Sequence, residues 1–536
     1  MIRRRQSIIA AAVAATLITA AGPGNAHATA DAFIEERAAQ NALQLVTSEQ
    51  GDPGALLNAA SEMLEGKPHT DDLKPAVNSA RAWFDISAAP DGSTGNETPL
   101  PGRLARKIVA RYGVAASPTQ SRSIAELDEL PAPVSEALSR VFVEFDAFAD
   151  AAGSTYATMQ PDLVAAARAQ GRSRAWPITA PVDVDLNDLA EARTKLLRAS
   201  LVLAEVLDDV PRPRGGAVVV APGLCIDLQG ANNTYATDCA LHIDVGGNDT
   251  YLNNAGGSNL LGGSCTTAQA GAGALLDFGG NDTYGDGTRT CGANGGGYNG
   301  AGFLLDLGSG NDSYAAGDEG TNGGGSLGAG FLLDGGGNDH YEAGGLGTNG
   351  GGDLVGAGFL LDAGGNDVYD AGRTSVNGGG SRGAGFLLDV GGNDTYLAGD
   401  ESANGGSFVG AGFLLDTGGN DTYAAGSDGI NGGGNFGTGF LYDATGNDSY
   451  SAGDLATNGG GRGGPGFLLD GGGNDSYTAG IDATNGGGIL GTGLLLDVAG
   501  ADFYQDPLIP TGSHPNCTLV PKDQSGMQLD LPNTDC

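Results

Sequence analysis

Nine aspartates recur in one setting along the second half of this 536-residue chain. Asp249, Asp282, Asp312, Asp339, Asp367, Asp394, Asp421, Asp448 and Asp475 each follow an asparagine and stand two positions before a tyrosine. A second set closes a Leu-Leu-Asp or related run five or six residues upstream, at Asp244, Asp277, Asp306, Asp334, Asp362, Asp389, Asp416, Asp443, Asp470 and Asp497. Carboxylates in this number are hard oxygen ligands, and the chemistry they suggest is binding of a divalent cation such as Ca²⁺, which accepts carboxylates and turn carbonyls in flexible geometry. No internal counter-charge competes for them. Between residues 216 and 505 the chain has four arginines (Arg289, Arg373, Arg382, Arg462) and no lysine.

What positions the aspartates is a repeat, roughly GAGFLLD-x-GGNDxY followed by a stretch that ends in NGGG. Successive Leu-Leu-Asp aspartates are 33, 29, 28 and 28 residues apart and then settle at 27. A fixed period of this size marks a stacked repeat architecture, in which no unit can bury its apolar side chains alone. GAGFLLD alternates as a strand, GGND is turn chemistry, and the tyrosine is constant. The expected fold is mainly β, a parallel β-helix (β-solenoid) of about ten rungs of 27–33 residues, preceded by a small all-α domain. With strands about 4.8 Å apart, ten rungs span roughly 48 Å. Within each strand Ala, Phe and the second Leu are expected to face inward. His242 and Cys225 occupy the middle position in early rungs and mark it as the outward one. Asn294, Asn322, Asn349, Asn377, Asn404, Asn431, Asn458 and Asn485 form a further column, whose amides can bond along the axis.

Stacking repeats every charge. Two carboxylates ~4.8 Å apart repel by about 0.9 kcal/mol in water and about 3.5 kcal/mol at an effective dielectric of 20. The Asn-Asp-x-Tyr column therefore has two readings. Either it ligates Ca²⁺, or each aspartate caps backbone N–H groups in its own turn and splays outward.

Gly392-Asn393-Asp394-Thr395-Tyr396 resembles the core of the RTX, or hemolysin-type, calcium-binding nonapeptide GGxGxDxUx, and 27 residues are three nonads. The resemblance implies a parallel β-roll with Ca²⁺ held in the turns by the aspartates and glycine carbonyls. It covers the nine turns only. The leading Gly-Gly is replaced by residues such as Asp389-Val390, and the other two nonads of each rung carry no matching aspartate.

The remainder of the chain sets the context. Arg3–Arg5, the apolar run Ile8–Ala21 and Ala26-His27-Ala28 read as an export signal over residues 1–28. Residues 29–214 read as helical, with candidates at 31–47, 55–64, 72–86, 103–112, 134–151 and 186–207, and prolines in the gaps. The solenoid is expected over 215–505 and a C-terminal tail or cap over 506–536. Six cysteines pair by proximity as 225–239, 265–291 and 517–536, one of 15 connectivities, in keeping with an oxidising compartment. The net charge of −38 excludes nucleic acid as a partner, and no membrane span follows the signal.

GxSxG occurs at Gly324–Gly328 and Gly379–Gly383, but its serine column holds Asp353, Asn435 and Arg462 in other rungs, and a nucleophile elbow needs a strand-turn-helix context. The position before the repeated asparagine mixes Thr, Val, Ala and Ile, too irregular for an ice-binding row. The reading is a secreted, acidic, Ca²⁺-stabilised solenoid with a structural, adhesive or binding role, whose partner is an extracellular surface or polysaccharide. The alternative is an extracellular carbohydrate-active hydrolase or lyase with its site on rungs 216–300 or in the helical part.

Overall fold

The computed structural model describes residues 99–112, 116–157, 187–210 and 218–530, with short interruptions of which 259–270 is the longest. The expected signal, the candidate helices at 31–47, 55–64 and 72–86, and the cysteine pairs 265–291 and 517–536 lie outside the described residues.

Among the described residues four α-helices come first. α1 (Pro101–Arg111) and α2 (Pro118–Glu126) both start with proline, whose missing N–H costs nothing in a first turn. Ser117 and Gln120 close a capping box at the start of α2, Ser117 Oγ accepting from Gln120 N–H and Gln120 Oε1 from Ser117 N–H. α3 (Ala132–Ala157) and α4 (Asn187–Asp209) are long and pack on each other through buried positions such as Leu138, Phe142, Phe145, Leu197 and Leu201.

From Leu224 onward the chain winds into a parallel β-solenoid. One turn lays down four short strands, for example Ala384–Asp389, Thr395–Ala398, Ala403–Asn404 and Ser407–Phe408. Equivalent strands of successive turns line up in register, Phe359 on Phe386 and Asp362 on Asp389, to give sheets of 14, 12, 7 and 8 strands. Among the described residues the two shorter faces complete about eight turns, fewer than the ten expected, the earliest rungs contributing strands to the two longer faces. At each end the pairing direction reverses. Val218–Ala221 runs antiparallel to Leu224–Asp227, and Leu519–Lys522 antiparallel to Gly526–Asp530.

The interior holds two apolar columns. Tyrosines from Tyr251 to Tyr504 stack with ring centroids 4.6–4.9 Å apart and planes within 7° of parallel, as expected for a constant residue in a stacked repeat. Against them packs the first leucine of each Leu-Leu-Asp, from Leu275 to Leu495. This inverts the expected orientation of the strand. Phe303, Phe331 and Phe359, with Leu305, Leu333 and Leu361, form the outer face and share one apolar cluster with α3 and α4. Phe148 meets Phe303 edge-on at 6.4 Å, and the Arg193 guanidinium lies 4.6 Å over the Phe331 ring. Cys225 and His242, which replace leucine at the middle position expected to face outward, are both buried. Cys225 is bridged to Cys239, and His242 packs edge-on against Tyr235 at 4.3 Å.

Glycine is needed where turns press together. A Cβ on Gly392 would lie 1.7 Å from the Gly365 carbonyl oxygen, so the GGND corner can stack only without side chains there.

Candidate metal centre

Alternation along the strand puts the Leu-Leu-Asp aspartate on the same inward face as the first leucine. The GGND corner then turns the second aspartate inward too. Both columns are buried: Asp389 is 0% and Asp394 1% exposed. The nine aspartates from Asp249 to Asp475 line one interior edge of the solenoid beside the Leu-Leu-Asp column, and outward splay does not occur.

The two columns are satisfied unequally. Asp389 Oδ1 accepts the N–H of Gly391 at 3.0 Å, and its Oδ2 lies 2.8 Å from the Tyr369 hydroxyl and 2.9 Å from that of Tyr396. The pattern recurs along the column, for instance at Asp334 with Tyr314 and Tyr341 and at Asp362 with Tyr341 and Tyr369. In the other column Asp394 Oδ1 accepts the backbone N–H of Asp367, one rung back, at 2.7 Å. The expected cap within the same turn is thus replaced by a cap across rungs. The turn asparagines do likewise, Asn366 Oδ1 accepting from Asn393 N–H at 2.9 Å. The second oxygen, Oδ2, has no hydrogen-bond partner at Asp249, Asp282, Asp312, Asp339, Asp367, Asp394, Asp421, Asp448 or Asp475, and the same holds at Asp502. A buried oxygen with no donor is costly to leave as it is.

These orphaned carboxylates converge with the other column. Asp249, Asp277 and Asp282 each place a ligand oxygen within 4.8 Å of the others; so do Asp282, Asp306 and Asp312, then Asp312, Asp334 and Asp339, then Asp339, Asp362 and Asp367. Oxygens at such separations can surround a common point at the about 2.3–2.6 Å that Ca²⁺ prefers. The donor set is oxygen only. Burial, reinforced by the neighbouring carboxylates, holds these acids above the ordinary range: Asp277 is pushed up to about 8, with Asp244 adding to the effect, and Asp394 to about 12, with Asp389 and Asp416 adding. Either protons or a cation must neutralise the columns.

Two members escaped the sequence reading. Asp502 stands in Ala501-Asp502-Phe503-Tyr504 and Asn233 in Asn232-Asn233-Thr234-Tyr235. Neither has the full Gly-Asn-Asp, but both keep the spacing to the tyrosine. Asn233 occupies the column's first rung, and its side-chain amide donates to Asp227 Oδ2 at 2.6 Å. The asparagine column behaves as expected, Asn377 Nδ2 donating to Asn404 Oδ1 at 2.9 Å and to Tyr369 O at 3.0 Å. Ser326 of the first GxSxG lies buried on the two-residue strand Gly325–Ser326, in register with Asp353. That is not the strand-to-helix turn of a nucleophile elbow. Among the described residues no helix is long and apolar enough to cross a membrane.

No protein-family model, curated protein or solved structure matches this chain.

Proposed function

We propose that the chain is an exported, acidic β-solenoid with a structural or adhesive role at an extracellular surface or polysaccharide, and that Ca²⁺ held by its aspartate columns completes the fold outside the cell. The observation that carries this reading is the orphaned Oδ2 on each Asn-Asp-x-Tyr aspartate, buried next to a second carboxylate with no donor in reach. The export signal, the absence of lysine from the repeats and the Cys225–Cys239 bridge agree with it. Extracellular fluids are rich in Ca²⁺ and the cytosol is poor in it, so the cation would stabilise the folded state after export, by mass action. The fit is to the residues of both columns and differs from the turn site that the RTX resemblance implies. Here the Leu-Leu-Asp carboxylate takes part, and Oδ1 of the turn aspartate is engaged by backbone.

Thermal unfolding followed by circular dichroism, in EDTA and across a Ca²⁺ titration, tests the proposal on the mature protein. A melting midpoint that climbs with Ca²⁺ but not with equal ionic strength of NaCl is expected. Superimposable curves would remove Ca²⁺ from the account.

A further inference from the structure

The clusters are not separate. Asp282 belongs both to the group with Asp249 and Asp277 and to the group with Asp306 and Asp312; Asp312 and Asp339 are shared in the same way. Every rung adds one aspartate to each column, two carboxylates in all, and the register carries this on through Asp389, Asp416, Asp443, Asp470 and Asp497. Donors fall short in every rung from Asp249 onward. From Tyr284 to Tyr423 each interior tyrosine has one hydroxyl proton although its oxygen sits against two aspartates, as Tyr341 does at 2.8 Å from both Asp334 and Asp362. A rung therefore lacks two positive charges, and one divalent ion supplies both.

We propose that the two aspartate columns hold a single internal file of hard divalent cations, about one per rung, in which each Asn-Asp-x-Tyr aspartate bridges two successive ions. The inference rests on the Ca²⁺ reading above and deepens it. Because neighbouring ions share a ligand, placing one fixes a carboxylate for the next, and loading runs along the axis as one cooperative process. Ten orphaned Oδ2 atoms, from Asp249 to Asp502, leave room for about nine ions between them. The file stops where its chemistry stops. At the first rung Asn233 replaces the aspartate, and its amide provides the donor that all later rungs lack, to Asp227. The fold thus contains its own example of a rung whose carboxylate is satisfied by a donor from within. The interior is lined by tyrosine and leucine, so the ions must shed nearly all their water. Ca²⁺ does this more readily than Mg²⁺, which keeps its water shell.

The test counts ions. Full-length mature protein is stripped with EDTA, desalted and titrated with Ca²⁺ by equilibrium dialysis. Tb³⁺ serves as a parallel probe, its luminescence excited through the tyrosine column at the tyrosine absorption band. The expected result is about nine Ca²⁺ per chain, a Hill coefficient above 1, and tyrosine-sensitised Tb³⁺ emission that Ca²⁺ displaces and Mg²⁺ does not. Asp394→Asn should remove about two ions, since Asp394 bridges two. Asp389→Asn, in the other column, should remove at least one. Asn233→Asp should add one, a gain that does not depend on whether an interior variant folds. The file is overturned, with the Ca²⁺ reading intact, if Ca²⁺ stabilises the protein but binding is non-cooperative, Asp389→Asn loses none and Asp394→Asn loses only one. If neither Ca²⁺ nor Tb³⁺ binds, both the file and the Ca²⁺ reading fall, and the columns carry protons instead.

Discussion

Tyr396 and Asp416 sit on successive rungs with the tyrosine hydroxyl oxygen 2.8 Å from Asp416 Oδ2, while the same hydroxyl lies 2.9 Å from Asp389 Oδ2 in the other direction. One proton serves two carboxylates. This shared hydroxyl joins the aromatic core to the acidic column, and disturbing either should be felt in the other.

Tyr396→Phe keeps the ring in its stack and removes only the oxygen. Asp389 and Asp416 would each lose a polar neighbour in a dry interior, a loss of about 1–3 kcal/mol. The thermal midpoint should drop measurably, with the far-ultraviolet spectrum of the folded state unchanged. An unaltered midpoint would mean the hydroxyl contributes nothing to holding the carboxylates.

The metal-free protein should lose stability as pH rises. Its interior aspartates hold their protons to higher pH when folded than the about 3.9 of an unfolded aspartate. The stability they contribute is complete below that value and is lost as pH climbs through the folded values. Asp249 lies at about 6, Asp362 and Asp448 at about 7, and Asp277 and Asp475 at about 8, burial being the main cause in each. Melting in EDTA should therefore weaken from pH 5 to pH 8, and saturating Ca²⁺ should flatten the trend. A midpoint in EDTA that rises over this range would contradict the assignment of buried, proton-holding acids.

Two glycine substitutions should act in opposite directions. Gly392→Ala drives a methyl group into the Gly365 carbonyl and should unfold or separate neighbouring rungs, visible as a lower and broader transition. Gly153→Ala meets nothing within 4 Å inside α3 and should stabilise that helix by roughly 0.5–1 kcal/mol. Hydrogen exchange resolved by segment reads both.

The helices should protect the first rungs more than the last. Phe148 is buried against Phe303, and Phe148→Ala should cost about 3–5 kcal/mol by leaving a cavity. Exchange protection should fall around Ala301–Asp306 and remain unchanged around Pro465–Asp470. Equal loss along the whole solenoid would show that the helical cover and the repeats unfold as one unit.

Much of this architecture is legible in the sequence because a repeat writes the same instruction many times. The period, the constant tyrosine and the asparagine column all led to stacked features that the structure contains. Orientation was not legible. The replacement of leucine by Cys225 and His242 points the middle position of the strand outward, whereas a disulfide and aromatic packing hold these two inside and the tyrosine hydroxyls hold the Leu-Leu-Asp aspartates on the same face. Turn chemistry points to local hydrogen bonds in the GGND corner, yet the N–H groups of Asn393 and Asp394 donate to side chains 27 residues away on neighbouring rungs. α2 was missed although Ser117-Pro118-Thr119-Gln120 carries a start signal, because the nine residues that follow Ser117 are mostly polar.

The reversed strands at the two ends bear on how long this object can become. Parallel turns with free edges are a template on which further copies could be laid, as strands are added to a growing amyloid. Here the last strands of the largest sheet run against the others, and the outermost one at the C-terminal end, Leu519–Lys522, includes Pro521, which has no N–H to offer a newcomer. Polymerisation from that end is discouraged by the backbone itself. On the largest sheet the molecule is in effect a ruler with stops: the number of repeats sets its length, and a reversed strand closes each end.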